Sequence, residues 1–262
     1  MSNRQKAYIA EFGGTAWMVG FGLLAVALFW SSSSPLSQLP LDPGLRRLLT
    51  GFFFAGGATL VIYSPLGQLS GGHINPSVTL GFLLLDKISV KDAGIYVTAQ
   101  LLGGITGVAL LYLVLYHGAG WDDAVAVGAT RPGEGYSIPV VFVAEVVITF
   151  LLMTTILLVS NHRRVSRFTP AAAGILVMTE VWLEAPISGT SLNEARSLAP
   201  AIFSGVWEHH WIYLLAPIIG ATGAALLYRK APFFGQVLCS KLYHTDRYRC
   251  HMKNCLYTKE RS

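Results

Sequence analysis

Apolar residues run through this chain in blocks too long for the core of a soluble domain, with polar turns between them. No Asp, Glu, Lys or Arg falls between Phe12 and Leu41, Leu48 and Leu85, Ile95 and Trp121, Val146 and Asn161, or Trp211 and Tyr228. A helix needs about 20 mostly apolar residues to cross a bilayer. The blocks predict six spans, at 7–30, 46–66, 93–116, 137–160, 168–187 and 208–228. The first is too long for a secretory signal and more spans follow it, so it is expected to remain as a membrane helix.

Two polar turns inside this pattern read as copies. Ser70-Gly71-Gly72-His73-Ile74-Asn75-Pro76-Ser77 and Ser188-Gly189-Thr190-Ser191-Leu192-Asn193-Glu194-Ala195 stand 118 residues apart. The repetition extends outward. Ala10-Glu11 with Thr15 in span one matches Ala144-Glu145 with Thr149 in span four, and Gly104 to Tyr112 matches Gly220 to Tyr228, at offsets of 134 and 116. Each half, about 7–116 and about 137–228, holds three spans. An odd number turns the second half upside down relative to the first.

The apolar segment after each turn, Val78 to Leu85 and Arg196 to Phe203, is too short to span. Irregular backbone at membrane depth survives only when buried in protein or lining a water-filled cavity. Each turn is therefore expected to enter the bilayer, start a half-helix and leave by the side it entered. Asn75 suits an N-cap and Pro76 a first helical position. Two such half-helices would meet near the midplane by their N-termini. Each terminus carries roughly half a positive charge, and the fixed Asn amides would orient a passing water or hydroxyl. Gly103, Gly104, Gly107, Gly220 and Gly223 allow spans to approach closely.

Composition agrees with this reading: 53% of the 262 residues are hydrophobic and 13% charged, with a mean hydropathy of +0.51. Charge then sets orientation. Arg4, Lys6, Lys87, Lys91, Arg163, Arg164, Arg167 and the basic segment after 228 all fall on one side of six spans, against Arg46, Arg47 and Arg131 on the other. The richer side is expected to be cytoplasmic, with both termini there. The net charge of +5 follows from that bias and a basic tail, and gives no ground for a nucleic-acid partner.

The Asn75-Pro76-Ser77 and Asn193-Glu194-Ala195-Arg196 motifs, with the paired Glu11 and Glu145, resemble the major intrinsic proteins, the aquaporins and glycerol facilitators. The resemblance covers residues 7 to 228. It implies an all-α membrane protein of the aquaporin type, with six transmembrane helices, two re-entrant half-helices and an inverted repeat. It also implies one pore per subunit, a homotetramer in the cell (plasma) membrane, no cofactor, and passive conduction of water and small neutral solutes with ions and protons excluded. In the family's pattern Arg196 belongs to the narrow outer filter. Glu11, Glu145 and His73 correspond to groups that tie down the re-entrant loops.

Departures from the pattern bear on selectivity. Ser77 replaces a family alanine and Glu194 a proline. A carboxylate there would either face the lumen and weaken the barrier to cations, or point back into protein as a packing group. Counted without gaps, the filter falls at Ala55, Val181, Thr190 and Arg196. Bulky groups are thereby lost, so a wide filter admitting glycerol, urea or hydrogen peroxide is expected. A shift of one residue to Phe54 would favour a strict water channel. Glu180 would either face the pore beside Arg196 or bond to a neighbouring helix. A closed-pore structural protein is the reading from another class; no nucleophile–base pair supports an enzyme. In the tail, 229–262, Cys239, Cys250 and Cys255 accompany His244 and His251. Their spacing matches no common zinc pattern, so no metal is expected and the tail reads as a mobile basic segment near anionic lipid.

Overall fold

Most helices begin at a residue able to cap them or carry a proline in the first turn, where its missing amide costs nothing. A computed structural model describes residues 1–121, 125–231 and 235–259. Asp122 and Asp123 between the halves and Arg261 of the tail lie outside them. Helix α1 (Asn3–Trp30) opens with a reciprocal capping box between Ser2 and Gln5. In α2 (Pro43–Tyr63) the Asp42 side chain accepts from the amides of Gly44 and Leu45. Pro65 lacks an amide and ends α2 earlier than the hydrophobic run suggests. Ser64 recaps the chain into a short α3 (Pro65–Ser70). Asn75 then caps α4 (Pro76–Leu84). Ser89 caps α5 (Val90–Leu111), which continues as a π-helical turn through Gly118.

The second half repeats this order. It comprises α6 (Ile138–Ser160), α7 (Thr169–Ser188), α8 (Glu194–Ser204) capped by Asn193, and α9 (Trp211–Lys230). Among the described residues six helices are long and apolar enough to cross a membrane, α5 being counted with its π-helical extension. Among the described residues there is no strand. At about 1.5 Å per residue, the nine residues of α4 reach less than half way across a hydrocarbon core of about 30 Å. Together α4 and α8 make one broken span.

In packing, α1 lies along α5, α6 along α9, and α2 meets α7 across the two halves. Each half-helix rests chiefly on the last span of the opposite half, α4 on α9 and α8 on α5, so the halves interlock. Glycine makes the tight contacts possible. A Cβ on Gly103 would stand 2.3 Å from the Phe12 carbonyl oxygen, one on Gly107 2.2 Å from that of Ala16, and one on Gly220 2.4 Å from that of Val146. Phe12 and Val146 are partners at the 134 offset, so space pairs Gly103 with Gly220. The last spans therefore match one residue away from the alignment that the sequence suggests, because the packing contact, and not the run of apolar letters, fixes the register. Leu60, Leu102, Leu110, Ile175, Leu183 and Leu227 point outward and exposed, as a lipid-facing surface requires.

The tail corrects the expectation of a mobile segment. Val237, Cys239, Ser240, Lys241, Leu242, Met252 and Cys255 are buried. The Leu242 amide donates to Gly71 O at 3.0 Å, Lys241 Nζ to Gln68 O at 2.6 Å and the Leu238 amide to Asn161 Oδ1 at 2.6 Å. After α9 the chain folds back over the face that carries both termini, closing with a short α10 (Leu256–Lys259).

Gly107→Val should lower stability by about 1–3 kcal/mol through overpacking of α1 on α5. Gly94→Ala, whose Cβ would meet nothing within 4 Å, serves as control. Thermal midpoints in detergent should separate the two variants, and equal midpoints would contradict the close approach.

Candidate functional site

The two polar turns fold alike because the same positions need the same backbone. Gly71, Gly72 and Ile74 have φ of 106°, 67° and 42°; Gly189, Thr190 and Leu192 have φ of 85°, 53° and 59°. Asn75 and Asn193 then extend at φ −156° and −159°, and a helix starts. A non-glycine residue held in the left-handed region costs on the order of 1–3 kcal/mol and persists only when its surroundings over-determine it.

Here the surroundings are specific. Glu11 of α1 accepts from the His73 and Ile74 amides at 3.1 and 2.7 Å. Glu145 of α6 accepts from Ser191 and Leu192 at 2.8 and 3.2 Å. The carbonyls of the same two left-handed residues are taken by the opposite loop. Asn193 Nδ2 donates to Ile74 O at 2.9 Å and Asn75 Nδ2 to Leu192 O at 2.8 Å. Each Asn oxygen caps its own half-helix, through Val78 N for Asn75 and Ala195 N for Asn193. Each Nδ2 carries two hydrogens. One is spent on the opposite loop, and the other remains for whatever occupies the space between.

Glu194 turns back into protein and closes the junction. It accepts from both the amide (3.1 Å) and the hydroxyl of Ser77, setting a carboxylate against the positive end of α4. The two departures from the family pattern are thus partners. Pro76, Ser77, Glu194 and Ala195 are all buried at this junction. A Cβ on Gly104 would lie 2.6 Å from Ala195 O, so α5 presses directly on the first turn of α8.

Around the junction a cavity of about 1010 Å³ runs between the halves. Phe54, Ala55, Val181, Thr190 and Arg196 line it, as do Asn75 and Asn193 at the junction, with His73 and Leu242. Arg196 donates to Gly128 O at 2.8 Å, and its guanidinium lies 5.0 Å from the Phe54 ring centroid. Thr190 is aimed by Glu184, which accepts its hydroxyl at 2.6 Å. His73 donates from Nε2 to Ser240 O in the tail at 2.9 Å and stacks on Phe82. Glu180 takes neither expected role: both carboxylate oxygens are buried with no hydrogen-bond partner among the described residues.

Three supports escape a reading of the motifs alone. Gln100 donates to Glu11 at 2.8 Å. The Tyr96 and Tyr213 hydroxyls donate to Ser70 O and Ser188 O at 2.7 and 2.9 Å. Glu184 is the third. The tyrosines carry a signal, since both stand at the glycine-based register of the last spans. Gln100 and Glu184 have no counterpart in the other half and leave none.

Comparison with known proteins agrees with this architecture. The sequence model described as "Major intrinsic protein" matches residues 1–228. The chain is 34% identical over 239 residues to the probable aquaporin PIP2-5 of Arabidopsis thaliana, covering 86% of this chain and 80% of that one. It is 33% identical over 232 residues to aquaporin Z of Rhodopseudomonas palustris, covering 85% and 91%. The X-ray structure of the aquaglyceroporin from Plasmodium falciparum superimposes with a TM-score of 0.73 over 88% of this chain and 98% of that one, at 22% identity; this last likeness concerns the fold alone.

A double-mutant cycle of Ser77→Ala and Glu194→Gln should give a coupling of about 0.5–3 kcal/mol in unfolding free energy. Additive losses would show that the two side chains do not act as a unit.

Proposed function

The chain belongs to the major intrinsic protein family, and from that premise we propose that it is a passive channel admitting small neutral solutes such as glycerol, urea or hydrogen peroxide as well as water. The observation that carries this reading is that Ala55 and Val181 line the same cavity as Arg196. Neither side chain is large enough to close the passage or polar enough to demand a water-sized partner. Thr190, held by Glu184, supplies one hydroxyl in an otherwise apolar ring with Arg196. A solute that presents hydroxyls to one side and carbon to the other fits such a ring.

Exclusion of ions follows from charge. Arg196, fixed by Gly128 O, and the facing N-termini of α4 and α8 oppose cations. The free hydrogens of Asn75 and Asn193 would hold a passing oxygen and break any continuous chain of proton-transferring waters. Glu194 does not undo that barrier, because its oxygens are committed to Ser77. Glu11, Glu145 and His73 act as scaffold.

The terminal face is read as cytoplasmic, on the lysine and arginine bias, in the cell membrane. The assembly is read as a homotetramer on the family resemblance. One observation favours the stricter reading of a water-only channel: Phe54 also lines the cavity and packs beneath Arg196. Its ring leans toward α1, where a Cβ on Gly22 would fall 2.1 Å from it. That position supports reading it as a prop for the arginine, with Ala55 as the facing group.

Ala55→Phe in proteoliposomes should cut glycerol permeability by about tenfold or more, in line with the loss of a sterically matched passage, while water flow falls less. An equal fall in both would contradict Ala55 as the limiting position. Arg196→Ala should admit cations that the parent excludes, read as potential-driven dye uptake. Unchanged exclusion in folded protein would remove Arg196 from the filter.

A further inference from the structure

The family model matches residues 1–228, so the match itself gives no account of the fold of the tail. Residues 235–255 contain no strand and no α-helix. Yet this segment buries Val237, Cys239, Leu242, Met252 and Cys255 and follows a fixed path across the terminal face. Irregular segments of this length hold one conformation when something staples them, usually a disulfide or a metal.

Four side chains spaced five or six residues apart along the tail converge where such a staple would sit. One ligand atom from each of Cys239, His244, Cys250 and Cys255 lies within 4.8 Å of all the others. The Cys239 and Cys250 sulfurs are 3.7 Å apart, and Cys255 Sγ lies 3.5 Å from His244 Nε2. A tetrahedral zinc ion, with Zn–S of about 2.3 Å and Zn–N of about 2.0–2.1 Å, sets edges of about 3.7–3.8 Å between sulfurs and about 3.5 Å between sulfur and nitrogen. These two separations match edges of such a tetrahedron, and the other ligand-atom separations stay within 4.8 Å. None of the three cysteines forms a disulfide, and one bridge would use two sulfurs and leave the third and the imidazole converging without a purpose.

We propose that Cys239, His244, Cys250 and Cys255 form a tetrahedral structural zinc site that pins the tail across the terminal-face mouth of the pore. Three thiolates and one imidazole are the donor set that selects zinc among common divalent ions. The complex would carry one net negative charge, and buried Lys241 lies close enough to the sulfurs to offset it. His244 stacks on Tyr257 at 4.3 Å between ring centroids, which fixes the imidazole plane as an outer shell should.

The site is tied to the pore through residues between its ligands. Ser240 O accepts from His73, Lys241 holds Gln68 O, and Leu242 bonds Gly71 O and lines the cavity. Lys253 and Asn254, next to Cys255, grip Asp86 at the end of α4. Zinc would therefore fold a strap whose middle forms part of the wall of the mouth.

The test uses the full chain, purified in detergent under reducing conditions with its affinity tag removed. Elemental mass spectrometry should find about one zinc per chain. Cys250→Ser with Cys255→Ser should bring zinc to background without changing the size-exclusion profile, since the channel body contains none of the ligands. Chelation should speed tryptic cleavage at exposed Arg247 and Arg249 by about tenfold, and added zinc should reverse it. Should the variant aggregate, cobalt added to the chelated parent must give sulfur-to-cobalt charge-transfer bands. Less than about a tenth of a zinc per chain after incubation with equimolar zinc, a metal other than zinc, or a disulfide in the intact mass would overturn the proposal. None of these readouts depends on which solute the channel carries.

Discussion

The structure depends on how two short stretches of irregular backbone are satisfied at membrane depth. Ile74 and Leu192 each sit buried in a left-handed conformation. Each gives its amide to a buried glutamate of its own half and its carbonyl to the asparagine of the other. Hydrogen bonds to a charged group contribute about 1.5–3 kcal/mol apiece, a magnitude comparable to the cost of about 1–3 kcal/mol for each strained residue. The exchange is reciprocal, so neither half-helix can be placed without the other. Because both loops are tied from two sides, the asparagine amides point into the cavity as fixed donors instead of mobile side chains, and selectivity becomes a property of the backbone.

Such a junction tolerates sequence change when its charges remain partnered. Glu194 at the start of a buried helix would be costly alone. Ser77, on the facing helix, supplies both an amide and a hydroxyl to it, and the two substitutions read as one. The contact ties the first turns of α4 and α8 together from the side, where an alanine and a proline would leave only van der Waals packing. The lumen keeps its donors and gains no negative charge.

Much of this was legible in the letters of the chain. Six apolar blocks, two copied polar turns and the glutamate pair suffice for the inverted repeat, because each is a local pattern with a local cause. The repeat pairs Glu11 with Glu145, and the family resemblance matches both to the re-entrant loops. The sequence did not reveal the partner of Glu194, since a bond between residues 117 positions apart is set by how two helix ends meet. It also misled on the last spans by one residue, where apolar letters match at 116 and the glycine contacts require 117. The tail is the largest miss. Its ligand spacing follows no familiar pattern, and only folding over the mouth brings Cys239 to Cys250 and His244 to Cys255.

We propose a wide, weakly polar constriction at Ala55 and Val181, above a junction whose fixed dipoles would oppose ions. Its most direct test is stopped-flow light scattering of proteoliposomes bearing the unmodified protein, first shrunk in sucrose and then exposed to a glycerol gradient. The account predicts shrinkage and glycerol re-swelling both well above those of empty vesicles. Fast shrinkage with glycerol re-swelling no faster than in empty vesicles would contradict it, and would make Phe54 the residue that sets the width of the pore.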